Sequence, residues 1–299
     1  MADIPRPSKR DIRAAFEASA ARYDEVAVLQ REVASRLLER LNLLKMEPRS
    51  ILDLGCGTGH CSEALNKRYP KARIVALDLS EAMLHHTRRR FSRWSRFRHQ
   101  HGFVGGDAEN LPFADGSFDM LFSNLTVQWC MDLEKTFSEF RRVLKPGGVL
   151  FFTTLGPDTL KELRASWAAV DQQVHVNTFL DLHDVGDAML HARLAEPVLD
   201  MEHITLTYGD SMTLMRDLKE LGAHNINPGR SQGLTGPRKL KAVMAAYEQF
   251  RQPDGQLPAT YEVVYGHAWR AEKEAAIHEG PPGESSYPIE QLQAWRIRE

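Results

Sequence analysis

The chain predicts an α/β fold built on a doubly wound, mostly parallel sheet of seven strands, and three observations carry that prediction. Short apolar runs alternate with amphipathic helical segments through the first half of the chain, the pattern of a parallel sheet with helices on both faces. The segment Ile51-Leu-Asp-Leu-Gly-Cys-Gly-Thr-Gly59 takes an apolar run into an acid and then into three glycines at alternate positions. That is a strand turning sharply into a helix with bare backbone at the turn, because glycine tolerates positive φ and has no Cβ to block a ligand. A second apolar run, Arg73–Asp78, also ends in an acid, where an open α/β nucleoside site receives a ribose diol.

In chain order, residues 8–45 read as helical. Val26, Leu29, Val33, Leu37, Leu41 and Leu44 recur at three- and four-residue steps, and Pro48 closes the segment, which is an apolar stripe with a stop. Strand 1 spans about 50–54, a helix about 59–69 and strand 2 about 73–78. Ser80 suits the N-cap of the next helix. Strand 3 spans about 101–106, and strand 4 is Phe118–Ser123 after the turn Ala114-Asp-Gly-Ser117. A helix from Asp132 carries Leu133, Phe137, Phe140 and Leu144 on one face. It is expected to stop at Lys145-Pro-Gly-Gly148, where proline and glycine oppose continuation. Strand 5, Val149–Thr154, is apolar on both faces, as a central parallel strand should be.

Pro157 and Asp158 open a helix with Leu160, Leu163, Trp167 and Val170 in register, and another helix lies near 180–192. Residues 197–207 and 260–269 read as strands that pair antiparallel at the sheet edge, since sequential strands commonly neighbour one another. Helical segments near 211–221 and 236–251 lie between them. The expected organisation is an N-terminal helical cover (1–48), a ligand-binding core (49–208), a helical insertion acting as a lid (209–258) and an edge strand completing the core (259–270). The polar tail, 271–299, is expected to lack structure.

Composition narrows the function. The chain has 299 residues, enough for a sizeable core. Its formal net charge is −2, which argues against a polycation built for nucleic acid. No apolar run is long enough to cross a membrane, and the first residues lack the apolar region of a secretory signal. The cysteines, Cys56, Cys61 and Cys130, are odd in number and form no CxxC pair, so neither a disulfide framework nor a metal site is expected. A reducing cytoplasm is the simplest compartment, with neither nucleic acid nor a membrane as partner.

Two basic segments stand out. Arg88–Arg98 interleaves arginines with aromatics, a composition found in nucleic-acid binders. A segment leading into strand 3 emerges at the amino ends of the strands, opposite the ligand site, so it reads as a solvated face or a secondary contact. From Leu221 to Tyr247 there is no acid, while Arg230, Arg238, Lys239 and Lys241 are basic. That stretch fits either an acidic partner or a solvated helix face.

The glycine turn is not the dinucleotide fingerprint, which from Gly55 requires a glycine where this chain has His60. An acid, three alternate glycines and an acid ending the next strand together resemble the S-adenosylmethionine site of class I methyltransferases. In that frame the strand ends present the candidate cofactor residues. Asp78 faces the ribose hydroxyls, Asp107 accepts from the adenine amino group, and Leu79 and Ala108 flank the adenine. Asp53 and the loop Gly55, Cys56, Gly57, Thr58 and Gly59 lie under the methionine end, and Asn124 and Leu125 close the end of strand 4. Cys56 reads as a small residue and not a nucleophile, since no paired base is visible.

Further residues narrow the resemblance to the malonyl-[acyl-carrier protein] O-methyltransferases of biotin synthesis, over roughly residues 11–269. They include Ala14-Ala-Phe-Glu17 with Tyr23-Asp24, Leu29-Gln-Arg31, Ser123-Asn-Leu-Thr-Val-Gln-Trp-Cys130, Ala168-Ala-Val-Asp171, His175-Val-Asn177 with Phe179, and Met215-Arg-Asp-Leu-Lys-Glu-Leu-Gly-Ala223. The resemblance implies S-adenosylmethionine as methyl donor, a malonyl thioester on acyl carrier protein as acceptor, and a cover helix bearing Phe16 and Tyr23. A carboxylate is ionised at neutral pH, so its methylation needs no general base, and His60, His175 and His183 read as structural. Arginine suits carboxylate recognition. Arg31 and Arg216 are the candidates for substrate positioning, with Tyr23 as a hydroxyl donor. A second resemblance, through Thr154–Arg164 and Leu257–Tyr261, is to the complex I assembly factors of the same fold, which hydroxylate a partner's arginine. The Ser123–Cys130 segment favours the first. Another small-molecule methyltransferase of the ubiquinone type would require a base to activate carbon, and none is evident.

Overall fold

The structure, a computed structural model, describes residues 8–99, 101–223 and 236–272. It opens with α1 (Lys9–Ser19), α2 (Tyr23–Val26) and α3 (Val28–Arg40). The helical stretch read over 8–45 is thus broken, and Ala27, with ψ of 48°, leaves helical geometry between the second and third pieces. The break lets two surfaces be served. Ile12 and Ala15 of α1 pack with Leu79 and Trp129, whereas Leu29, Val33 and Leu37 of α3 join the main core. One straight rod would not reach both.

The glycine turn joins β1 (Ser50–Leu54) to α4 (His60–Arg68), followed by β2 (Arg73–Asp78) and α5 (Glu81–Arg90). Ser80 caps α5 as predicted, its hydroxyl accepting from the Met83 amide at 3.2 Å. A short α6 (Arg93–His99) leads into β3 (Gly102–Gly105), then come β4 (Phe118–Ser123), α7 (Leu133–Val143) and β5 (Leu144–Leu155). The helix capped by Asp132 therefore ends before the Lys145–Gly148 turn. Those residues already belong to β5, whose Leu144 pairs with Phe118 ahead of a register shift. Pro146 is tolerated at this irregular strand start, where the ladder does not need its amide.

The helix read from Pro157 also starts late. Leu160 is left-handed, with φ of 55°, and α8 runs Lys161–Ala168. The chain continues through α9 (Leu182–His191), β6 (Ala195–Tyr208), α10 (Ser211–Glu220), α11 (Pro237–Tyr247) and β7 (Leu257–Trp269). Arg230 and the tail beyond 272 lie outside the described residues.

The strands form one sheet in the order β3-β2-β1-β4-β5-β7-β6. β1 runs parallel to β2 and β4, and β7 runs antiparallel to both β5 and β6. Side chains alternate across each strand, so the sheet buries both faces. Ile51, Met120 and Phe151 face α3, α4, α8, α10 and α11. Leu52, Leu121 and Phe152 face α7 and α9. The strand order reverses between β1 and β4, and a ligand crevice opens at the carboxyl ends of such a switch point.

Candidate active site

A cavity of about 1380 Å³, counted with its open mouth, lies over that switch point. Its first half is built by the strand ends. A Cβ on Gly55 (φ +70°) would sit 2.0 Å from Thr126 Oγ1, whereas a Cβ on Gly57 (φ +53°) would meet nothing within 4 Å. Gly55 is required by packing. Gly57 is required by its backbone conformation, and it leaves main chain open at the cavity wall. Gly59 begins α4.

Asp78 lines the cavity and also fixes this loop. Its two oxygens accept from the amides of Gly57 and Ser80, each at 2.8 Å. Burial pushes its carboxyl up to about 6, against those two bonds. Leu79, Asp107, Ala108, Asn124 and Leu125 also line the cavity. Asp107 is shared: one oxygen accepts from Lys9 Nζ at 2.9 Å and from the Glu109 amide at 3.1 Å. Asn124 donates to the Gln30 carbonyl at 3.1 Å, tying β4 to α3.

Asp53 differs from its expected place. It is 1 % exposed, accepts from Ser62 Oγ and does not line the cavity. It sits under the loop because α4 turns Ser62 back toward it, and burial pushes its carboxyl up to about 7. Cys56 and Thr58 line a side chamber with Tyr23, Asp24, Gln30, Arg31 and His60. Burial pushes the Cys56 thiol up, so it is no thiolate. Thr58 Oγ1 donates to Asp24.

The cover is α1. Lys9 bonds both Asp107 and Glu109, and Phe16 meets Trp129 edge-on at 5.3 Å. The Glu17 carboxylate accepts from the Glu81 and Ala82 amides, completing the N-terminus of α5. Tyr23 lines both chambers. Burial, then the Asp78 charge, hold its phenol well above the usual range, so it remains an O–H.

The second half of the cavity is lined by Leu155, Thr159 and Leu160, by Asn177 and Phe179, by Leu206 and Tyr208 of β6, by Asp217, Leu218 and Leu221, and by Tyr261 of β7. Tyr208 bonds Asp217, and burial followed by that charge pushes its phenol up to about 12. Asp171 holds the segment bearing Asn177 and Phe179. It accepts from His175 Nε2, from Lys239 of α11 and from the Gln173 amide. The His175 ring stacks on Trp167 at 3.6 Å.

The two arginines do not reach this half. Arg216 is exposed and absent from the lining, although α10 does fold over the site. Successive helical residues turn by about 100°, and on α10 the inward positions are Asp217 and Leu218. Arg31 lines the side chamber, where it donates to the Asp24 carbonyl at 2.6 Å. Among the described residues the one cation lining the main cavity is Lys9, at the opposite end. His60 is held below its usual pKa by burial, then by Arg90 and Arg31. His175 serves the Asp171 cluster, and the His183 side chain is 91 % exposed.

The sequence carries no local signal for Lys9 or Tyr208, and Thr159 and Tyr261 sit in the segments that carry the second resemblance. Gln30, Gln128, Asn177, Phe179 and Asp217 sit inside the segments that carry the closer resemblance. The buried Oε1 atoms of Gln30 and Gln128 have no hydrogen-bond partner among the described residues. Both residues line the cavity, and such acceptors call for a donor.

A family model described as a methyltransferase domain matches residues 52–152. A malonyl-[acyl-carrier protein] O-methyltransferase of Halorhodospira halophila is 53% identical over 268 residues, 89% of this chain and 90% of that protein. One from a Methylovorus species is 49% identical over 282 residues, 93% of this chain and 95% of that protein. Among solved structures, the YcgJ protein of Bacillus subtilis superposes with a TM-score of 0.55 at 17% identity, covering 81% of this chain and 100% of that one. The [4+2]-cyclase SpnF gives 0.54 at 17% identity, covering 90% and 99%. Those likenesses speak to fold alone, as one fold hosts many chemistries.

Proposed function

Because the chain belongs to the malonyl-[acyl-carrier protein] O-methyltransferase family, we propose that it methylates the free carboxylate of a malonyl thioester carried on acyl carrier protein. The ester formed would be the capped starter that fatty-acid elongation turns into the pimeloyl precursor of biotin. The observation that supports this reading is the cavity at the strand switch point, which extends from the glycine loop to residues of β6, α10 and β7. The reading as a partner-arginine hydroxylase gains no support from these relatives.

The first half fits S-adenosylmethionine, with Asp78 as ribose acceptor, bare backbone at Gly57, Leu79 and Ala108 as apolar walls, and the unpartnered oxygens of Gln30 and Gln128 as acceptors for an ammonium. When bound, that molecule supplies an electrophilic methyl on a sulfonium. The protein's task is then to position and desolvate a carboxylate. Leu155, Leu160, Phe179, Leu206, Leu218 and Leu221 exclude water from the second half. No histidine lines the main cavity among the described residues, which accords with a nucleophile already ionised at neutral pH.

With Arg216 outside and Arg31 to the side, the carboxylate is received by neutral donors, of which Tyr23, Asn177 and Tyr261 line the cavity. Neutral donors orient the carboxylate while leaving its charge available for attack, at about 3 Å in a productive arrangement. Arg216, Lys219, Arg238 and Lys241 are instead exposed on α10 and α11, beside the residues that wall the substrate half. We assign them to docking of the acidic carrier. The deciding experiment incubates the protein with S-adenosylmethionine and malonyl-acyl carrier protein, with malonyl-CoA and free malonate in parallel. Methyl ester on the carrier-bound malonyl group is expected. Its absence, with intact cofactor binding, would overturn the acceptor assignment.

A further inference from the structure

The arginine-rich segment at the end of α5 and along α6 has no part in the cavity. From Ala82 to Gly106 the chain has no acid. Arg88, Arg89, Arg93 and Arg98 are exposed and Arg96 half-exposed. Neither a side-chain hydrogen bond nor an ion pair engages the guanidinium groups of these five among the described residues. Arg90 shows the contrast, since it bonds Asp24, Glu63 and the Thr58 carbonyl. Between the free guanidinium groups Trp94 and Phe97 stand one helical turn apart, 68% and 81% exposed. Arginines in the last turn of α5 suit that helix's dipole, but the two aromatics on α6 leave most of their surface to solvent.

The position of this face excludes the carrier. It feeds the amino end of β3, the outermost strand, whereas the substrate half of the cavity lies at the carboxyl ends near β5, β7 and β6. Five strand spacings separate β3 from β7, roughly 24 Å at about 4.8 Å each. Its shape excludes other macromolecules of defined form. Its two aromatics stand on a seven-residue helix about 10 Å long, a small apolar centre beside the roughly 800 Å² per partner of a stable protein interface. Neither cavity is lined by it, so it offers no groove to track a nucleic-acid strand. A lipid surface needs neither area of matched shape nor a groove. Aromatic rings settle at the headgroup level, and each arginine near an anionic surface adds attraction.

We propose that α6 and the end of α5 form a docking face for an anionic lipid surface, holding the protein peripherally with its cavity turned away from the bilayer. This departs from the expectation drawn from the whole chain, because a net charge of −2 averages away a local concentration of arginine. It does not depend on the acceptor assignment.

The test is sedimentation of the full-length protein with vesicles of phosphatidylcholine containing one-third phosphatidylglycerol, against phosphatidylcholine alone. Binding to the anionic vesicles only, weakening with salt, is expected. Each of Arg89→Glu and Arg93→Glu should lower it about fivefold or more. The double change Trp94→Ala/Phe97→Ala should lower it while keeping the salt dependence. Cofactor affinity should be unaltered in all of these variants, which shows them folded. Equal binding to neutral vesicles, no binding to either, or indifference to charge reversal would overturn the proposal. So would tighter binding of a single-stranded oligonucleotide than of the anionic vesicles, which would make the face a nucleic-acid surface.

Discussion

Between Leu54 and Gly57 the cavity is walled by one continuous turn of main chain, while between Leu155 and Tyr261 it is walled by side chains from five separated stretches. The first half owes its shape to a strand switch point, left-handed glycines and an acid that bonds the loop's own amide. The second depends on how α8, β6, α10 and β7 pack, and on a charged cluster at Asp171 that holds an irregular segment in place. A wall of backbone tolerates almost no change at a few positions. A wall of side chains tolerates change at many and is tuned by each. The two halves should therefore break in different ways and independently.

The largest effects come from filling either half. Gly57→Val puts a β-branched side chain into the cofactor space at a residue with φ of +53°, so cofactor binding should fall below detection by calorimetry. Leu218→Trp, on α10, should do the reverse, abolishing methyl transfer while cofactor affinity stays within about twofold, since distant sites act additively. If Leu218→Trp also removes cofactor binding, the halves are not independent and the comparison fails.

Next in size is Asp78→Ala, which removes a charged acceptor and loosens the loop at Gly57. A loss of about 1.5–3 kcal/mol in cofactor affinity is expected. The pH dependence gives the sharper reading. Burial pushes the Asp78 carboxyl up to about 6, and in its proposed role only the ionised form would accept from both ribose hydroxyls. Affinity should hold above pH 6 and fall by up to about tenfold per unit below it. Stability runs the other way: this carboxyl is raised from 3.8, so its contribution worsens as pH rises from about 4 to 6. Asp78→Asn should flatten the affinity profile, and an unchanged profile would assign the titration to another group.

The same contrast explains what was legible in the sequence. Ile51–Gly59 and Asp78 could be read because a strand, a turn and a terminal acid are consecutive in the chain, and parallel strands fix where their ends go. Asp53 was misplaced because nothing local reveals that Ser62, one turn into α4, takes its carboxylate. The second half of the cavity is scattered over about a hundred residues, and its parts meet only through packing. Segment 215–223 does supply residues of the cavity wall, yet telling Asp217 from Arg216 requires the phase of α10 against the cavity, which a charge-matching argument does not contain. The breaks in the helix over 8–45 and the late start of α8 were hidden for a related reason. The break at Ala27 and the start of α8 at Leu160 are single-residue changes of backbone conformation, and the Leu160 amide donates to the Thr260 carbonyl of β7, far away in the chain.

A smaller effect should follow loss of the cluster at Asp171. Burial alone would raise this carboxyl, but the bonds from Lys239, the Gln173 amide and His175 hold it at about 2. Its contribution is therefore complete above about pH 4 and is lost only as pH falls toward 2. Asp171→Ala should free the segment bearing Asn177 and Phe179, raising KM for the acceptor about fivefold while leaving cofactor affinity and kcat near their original values. A fall in kcat alone would show that this wall orients the reacting groups and does not merely retain the acceptor.

The smallest effect, and the most dependent on conditions, concerns the outer face of the substrate half. Arg238 and Lys241 are exposed on α11, in a stretch from Leu221 to Tyr247 that has no acid. Reversing both to glutamate leaves the cavity lining untouched, so any loss reports on encounter with the carrier. Opposite charges steer association, and exposed charges are screened over about 8 Å at physiological salt. The variant should turn over malonyl-acyl carrier protein several-fold more slowly at low ionic strength, by roughly 1 kcal/mol in kcat/KM, and approach the unaltered protein as salt rises. Malonyl-CoA is a control only if it reacts measurably, because its own phosphates feel the same patch. The informative comparison is therefore the salt dependence of the carrier reaction in the two proteins. If the curves coincide at every ionic strength, docking does not use this face, and the substrate half is selected by its walls alone.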